Sequence, residues 1–410
     1  MFLEIILATV LGIATGIFTG LTPGIHINLV SVLVVSFSPF LLTFFSPISL
    51  GVYIITMAIT HTFLDALPGI YLGAPDESQV LNVLPGHRML LAGEGHNAVK
   101  LTIIGSFGCL LLSLLFFPLT LKFMRSFYHI IEDYIGYILI ILMMFMILRE
   151  KKLEKILKAL LMFTMAGVFG LVVLNIPTLN QPLFSLLSGL FGLSILLTSL
   201  MDKTNIPEQN PAQELDIEKP VLITSTFAGT FVATLAGFLP GFGSSQAAIL
   251  GQQIIGSFSK IIGDIGDKGF LIMVGGINTV NMLTSIGAIY VLGKARNGAI
   301  LAINQIIGAI NLREVIIFLM VLLIAGGIAT ILSLKISKIF SNLITKVNYT
   351  VLVAIIMMFI IILTIYFDGV LGLSILVTAT SIGVLATKLG VGKNHLMGCL
   401  LLPVICYFMV

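Results

Sequence analysis

"GLTPGIHIN" at residues 20–28 and "GFLPGFGSSQ" at residues 237–246 each place a Pro-Gly pair inside an apolar stretch that otherwise reads as one membrane helix. Proline has no backbone donor and clashes with the preceding turn, so each pair interrupts a helix. Within lipid, freed N–H and C=O groups are tolerated only where protein or a water-filled cavity receives them. Two such breaks imply that each faces something other than lipid.

The surroundings support a membrane reading. Of 410 residues, 58% are hydrophobic and 10% charged, with a mean hydropathy of +1.14; a soluble domain carries about 25% charged residues. Apolar segments recur at roughly 2–20, 25–45, 49–72, 99–120, 131–148, 157–175 and 183–201, and again at 221–239, 243–257, 270–292, 315–334, 348–366, 367–387 and 395–410. The expected fold is an all-α polytopic membrane protein with 12–14 hydrophobic segments, some broken or re-entrant. Segment 243–257 looks short for a full crossing. The first segment has no basic leader and reads as mature structure. The polar stretch "DKTNIPEQNPAQELDIEKP" (202–220) separates a first membrane repeat, 1–201, from a second, 221–410.

Charge sets the expected orientation. Numbering loops from the one after the first segment, odd loops hold 16 of the 21 Lys and Arg residues and even loops 5. The excess places odd loops and the 202–220 linker in the cytoplasm of a cell-membrane protein, with both termini outside. Seven segments per half start the second half on the opposite side, so the two Pro-Gly pairs point opposite ways. That is the pattern of inverted repeats in secondary carriers. A fixed offset of 217 carries Gly20, Pro23 and Gly24 onto Gly237, Pro240 and Gly241, and His61–Thr62 onto Asn278–Thr279. "GVFGLVVL" (167–174) also resembles "GVLGLSIL" (369–376), at an offset that has drifted to 202.

A helix restarting after a break points free N–H groups and the positive end of its dipole at whatever lies before it, which suits an anion. The lining candidates are Pro23, Gly24, His26 and Asn28 in one half and Pro240, Gly241, Gly243, Ser244, Ser245 and Gln246 in the other. Pro and Gly as plain kink formers, capped by polar neighbours, remain the alternative. In "THTFLDALPGIYLG" (60–73), His61 and Asp65 share a helix face four residues apart. An ionisable pair within a span is a candidate for holding a coupling cation or passing a proton, or a hydrogen bond that stiffens the bundle. Asn278 and Asn281 occupy the corresponding place. Arg88, in the long polar loop 73–102, and Lys294 and Arg296 of "GKARNG" (293–298) are candidates for gating or headgroup contacts. Asp76, Glu77 and His87 of the same long loop read mainly as solvated loop residues.

These motifs resemble the TctA family, the large membrane subunits of tripartite tricarboxylate transporters. In that family a Gly-x-x-Pro-Gly segment opens each half, and "GHRMLLAGEGHNA" (86–98) keeps the outline of the loop that follows the first. The resemblance is specific at residues 12–30, 66–102 and 228–256. It implies an ion-driven secondary transporter of organic anions, with Na⁺ or H⁺ as coupling ion and no other cofactor. It also implies two candidate partners, a small membrane subunit and an extracytoplasmic binding protein. His26 and Asn28 replace small residues and Thr of bacterial members, "HTFLDALPGI" (61–70) replaces a glycine-rich stretch, and the chain is shorter. These departures match a smaller, archaeal-type branch.

Two other readings compete. A translocase for polyprenyl phosphate-type lipids would also use broken hairpins in inverted pairs, with Arg88, Lys294 and Arg296 on the headgroup. An intramembrane enzyme finds no support: HExxH is absent, "GFGSS" puts no serine in a Gly-x-Ser-Gly order, and Asp65 and Asp368 lack a GxGD context. No metal-ligand spacing links Cys109, Cys399 and Cys406, and the dispersed charge leaves no nucleic-acid footprint. The expected surroundings are the lipid bilayer and a small anionic solute, with further copies of the chain as candidate homo-oligomer partners.

Overall fold

The computed structural model describes residues 2–22, 27–73, 83–131, 134–148, 150, 152–201, 207–238, 244–262, 265–344 and 349–409. Within them the chain is helical and contains no strand. In chain order the helices are α1 (Phe2–Leu21), α2 (Ile27–Ser36), α3 (Ser38–Leu41), α4 (Pro47–Leu64), α5 (Val83–Leu91), α6 (Gly95–Ile131), α7 (Ile135–Leu148), α8 (Leu153–Leu174), α9 (Pro182–Leu187) and α10 (Ser194–Met201). They continue with α11 (Lys219–Phe238), α12 (Ser244–Ile262), α13 (Gly266–Leu292), α14 (Gly298–Ile307), α15 (Leu312–Ile344), α16 (Tyr349–Lys388) and α17 (Gly398–Met409). Among the described residues eight stretches are long and apolar enough to cross a membrane, so this is a multi-pass membrane protein.

Two helices form the centre. α4 starts cleanly, with Pro47 at its first position and Ser46 Oγ accepting the Ser49 N–H. It runs on through a π turn, Pro68–Leu72, that Gly73 closes at φ 63°. In the span Pro47–Leu72, 83% of the most apolar window is buried, and in α13 89%, against 22% in α1 and in α16. The outer helices turn Phe18, Leu115, Ile141 and Met358 outward. In lipid such burial has no hydrophobic drive behind it, so close packing of small residues must hold the helices together.

The packing around the two central helices is reciprocal. α1 lies on α4, where a Cβ at Gly12 would sit 2.6 Å from Tyr53 O. α11 lies on α13, where a Cβ at Gly229 would sit 3.0 Å from Met273 O. α6, from the first half, packs on α13 of the second; α15, from the second, packs on α4 of the first. The α6–α13 contact is backbone on backbone. A Cβ at Gly105 would come within 2.9 Å of Ile272 Cα, and one at Gly275 within 2.9 Å of Thr102 Cα.

Several expectations change in detail. The loop 73–102 contains a helix, α5, whose Met89 and Leu90 are buried while Arg88 is exposed. Its single short turn of apolar residues is too brief to show helical periodicity in sequence. α14 is likewise an added short helix, and α12 runs 19 residues instead of 15. α16 spans 40 residues but is divided at Gly369 (φ 61°, ψ −149°). At 1.5 Å per residue an unbroken helix of that length would reach about 60 Å, twice the ~30 Å hydrocarbon core. The two segments read at 348–366 and 367–387 meet there. Asp368 at the bend accepts the N–H groups of Asn180 (2.7 Å) and Gln181 (2.9 Å) and the Ser185 hydroxyl (3.0 Å), so its carboxylate caps the start of α9.

Residues 207–218 of the linker are strapped down. Gln209 is buried; its Oε1 accepts Gly95 N–H at the start of α6 (2.9 Å) and its amide donates to Leu90 O (2.8 Å). Lys268 donates to Asp216 O (2.7 Å). Links between loops join like with like in the odd and even numbering. Gln209 to Gly95, Arg88 to Asp267 (2.8 Å) and His395 to Glu150 (3.2 Å) connect odd loops. Glu4 to Ser46 N–H (3.1 Å), Asp368 to Asn180 and Lys294 to Tyr128 (3.0 Å) connect even loops or termini. The three cysteines form no disulfide; Cys109 is buried and donates to Thr226 O.

Candidate substrate and ion site

Polar residues of the two central helices meet in the interior. Asp65 caps the C-terminal end of α4, its N–H on His61 O, and its side chain is 2% exposed. Asn278, on α13, donates its amide N–H to Asp65 Oδ2 at 2.7 Å. The Ser244 hydroxyl, at the first residue of α12, donates to Asn278 Oδ1 at 3.5 Å and accepts the Asn281 amide at 3.4 Å. The donors therefore run one way, from Asn281 through Ser244 and Asn278 to the Asp65 carboxylate, and polarise toward its negative charge. On the other side His61 Nε2 lies 4.0 Å from Asp65 Oδ2, and His61 Nδ1 lies 3.1 Å from the Thr19 hydroxyl near the end of α1. His61, Thr19, Ser244 and Asn278 are all buried.

A buried carboxylate is costly unless donors replace its water. The amide on Asp65 comes from the other half of the chain, and the Ser244 hydroxyl behind it stands at a helix N-terminus whose first N–H groups have no partner within the helix. The chemistry on offer is a negative group held by neutral hydrogen bonds beside an imidazole, next to a helix start that suits an anion. Among the described residues no group of three or more His, Cys, Asp or Glu side chains could hold a metal ion.

Of the residues singled out in sequence, His61, Asp65, Ser244, Asn278 and Asn281 come together here. Pro23, Gly24, His26, Pro240, Gly241 and Gly243 lie outside the described residues, as do Asp76 and Glu77. Asn28, Ser245 and Gln246 fall in the first turns of α2 and α12, with side chains outside the description. Arg88 is elsewhere: exposed, paired with Asp267, it lines a pocket of about 570 Å³ with Glu94, Asp216, Glu218 and Lys268. Lys294 and Arg296 flank Tyr128, with their charges 4.7 and 4.8 Å from its ring centre, in a separate pocket of about 630 Å³. His87, read as a loop residue, is buried on α5, and burial pulls its imidazole below its usual value of 6.5.

Sequence reasoning missed Thr19 and the extension along α13. Asn297 donates to the Ser285 hydroxyl (3.1 Å), which donates to Asn281 O (2.7 Å), while Asn297 Oδ1 caps α14 through the Ile300 N–H. The signal for Ser285 was its spacing, seven residues after Asn278 and four after Asn281, on one helix face. Thr19 had only its place beside Gly20.

A buried polar site between two central helices lies in a bundle of membrane spans, and the class is a polytopic helical membrane protein. The sequence profile of the Tripartite tricarboxylate transporter TctA family matches residues 6–398, and the chain belongs to that family. It is also 32% identical, over 98% of its length and 99% of the relative's, to an uncharacterised protein of Methanocaldococcus jannaschii. That relative agrees with the archaeal-type branch. No solved structure matches the chain.

Proposed function

We propose that the protein is an ion-coupled carrier of small organic anions, carboxylates first among them, working by alternating access in the cell membrane. The observation that carries this reading is the hydrogen bond from Asn278 to Asp65, which joins the two central helices at the start of α12. The substrate carboxylate would sit against the free N–H groups that open α2 and α12 after the two Pro-Gly pairs. Ser244, Ser245, Gln246, His26 and Asn28 would add donors, with Gly243 leaving room for close approach. Asp65 with His61 would take the coupling cation, Na⁺ or H⁺, its charge offset by Asn278 and Asn281.

Inverted repeats, 1–201 and 221–410, supply the two-sidedness. Their support is the shared offset of 217 between the Gly12 and Gly229 contacts, and the exchange in which α6 serves α13 while α15 serves α4. The excess of Lys and Arg in odd loops favours a cytoplasmic linker with both termini outside. A small membrane subunit and an extracytoplasmic binding protein are the natural partners of a tripartite system. Catalysis is not part of the proposal.

Uptake of labelled di- and tricarboxylates into proteoliposomes, under an imposed Na⁺ or proton gradient, tests it. Gradient-driven accumulation is expected. Absence of carboxylate uptake under either gradient, with partner subunits supplied, would sink the proposal.

A further inference from the structure

The two pockets have opposite chemistry. Around Arg88 the carboxylates of Glu94, Asp216, Glu218 and Asp267 outnumber the cations. The pocket formed by Tyr128, Lys294, Arg296, Asn297, Leu301 and Tyr407 has two cations and no carboxylate among its described lining. Even loops hold 5 of the 21 basic residues, and two of those five stand here.

Arg296 is the informative side chain. Its Nε and Nη2 are both buried and have no hydrogen-bond partner. These two nitrogens form one edge of the guanidinium, the edge that grips two oxygens of a phosphate or carboxylate side-on. Leaving both donors unmade costs free energy that an incoming anion would recover. The guanidinium rests on Tyr128, its central carbon 4.8 Å from the ring centre, and the side chain lines the cavity.

The pocket's other wall is apolar and faces outward. Tyr407 is 79% exposed and Leu301 47%. Leu301 lies in the first turn of α14, past Leu292 where α13 stops, and Tyr407 lies in the last turn of α17. A cationic wall beside an exposed apolar rim, at the level where spans end, fits a ligand with a charged head and greasy tails better than a free ion. We propose that this pocket binds the phosphate of an anionic lipid headgroup, with Arg296 and Lys294 on the phosphate oxygens and Leu301 and Tyr407 against the chains. The proposal concerns lipid binding and stands apart from the carrier reading.

Native mass spectrometry of the purified full chain, titrated with phosphatidylglycerol, phosphatidylcholine or inorganic phosphate, tests it. Phosphatidylglycerol is expected to bind roughly tenfold more tightly than phosphatidylcholine, and Arg296→Gln and Lys294→Gln to remove most of that preference. Arg88→Gln, at the acid-rich pocket, should leave it intact. Wild-type preference in both the Arg296 and Lys294 variants would overturn the site. Equal competition by inorganic phosphate would overturn the lipid as its occupant. Should Arg296→Gln fail to fold, Lys294→Gln and Tyr407→Ser carry the same comparison.

Discussion

α4 and α13 are alike in enclosure and in the way each receives one helix from its own half and one from the other, yet they differ in charge. At an offset of 217, His61 corresponds to Asn278, and Asp65 corresponds to Met282, itself buried. One central helix carries the ionisable pair and the other carries amides that serve it. A second carboxylate opposite Asp65 would repel the first in a site that water barely reaches, whereas an amide donates without adding charge. The frame repeats, but the charge does not. Under the proposed function, such an arrangement would suit a single coupling cation.

The comparison breaks most completely at the backbone. Gly275→Leu would force a side chain into the Thr102 backbone, and overpacking of this kind costs about 3 kcal/mol or more; folded, detergent-stable protein should be lost, as size-exclusion yield will show. Gly327→Leu on α15 is the control, since a Cβ at Gly327 would meet nothing within 4 Å, and it should behave as wild type. Next comes the charge. Asp65→Ala should reduce gradient-driven uptake by about 100-fold, close to 2.7 kcal/mol, while a thermal melt stays near wild type; full uptake would remove Asp65 from the coupling role.

A smaller effect is expected when the amide is removed. A hydrogen bond to a charged group contributes about 1.5–3 kcal/mol; at the lower end of that range Asn278→Ala should lower uptake roughly tenfold, and Asn278→Asp should move the pH profile of uptake as two carboxylates come to share one site. The smallest effect lies outside the central pair, at His87. Its imidazole titrates below 6.5 in the folded protein, so the unfolded chain binds the proton first as pH falls. Stability contributed by the neutral ring is therefore present above about 6.5 and lost as pH drops below it. His87→Phe should flatten the fall in melting temperature between pH 7 and 5; an unchanged slope would assign the acid sensitivity to other groups.

Much of the fold was legible because lipid leaves so few options. Long apolar runs must be helices, and Pro-Gly pairs must break them, whatever their neighbours do. The division of 349–388 into two segments was readable from its length alone, and the structure places the bend at Gly369. α5 and α14 were not readable, because helices of nine and ten residues show too little periodicity. Gln209 was not readable either: a linker glutamine becomes a helix cap only where folding brings Gly95 to it.

The sequence by itself determined the class of protein, the apolar runs from which its helices form, and the residue types that a buried site would use, since these follow from composition, period and the price of a broken helix in lipid. The tertiary structure decided which polar residues share that site. Asp65 and Asn278 are 213 positions apart, and only the packing of α4 against α13 brings a carboxylate from one half within hydrogen-bonding reach of an amide from the other.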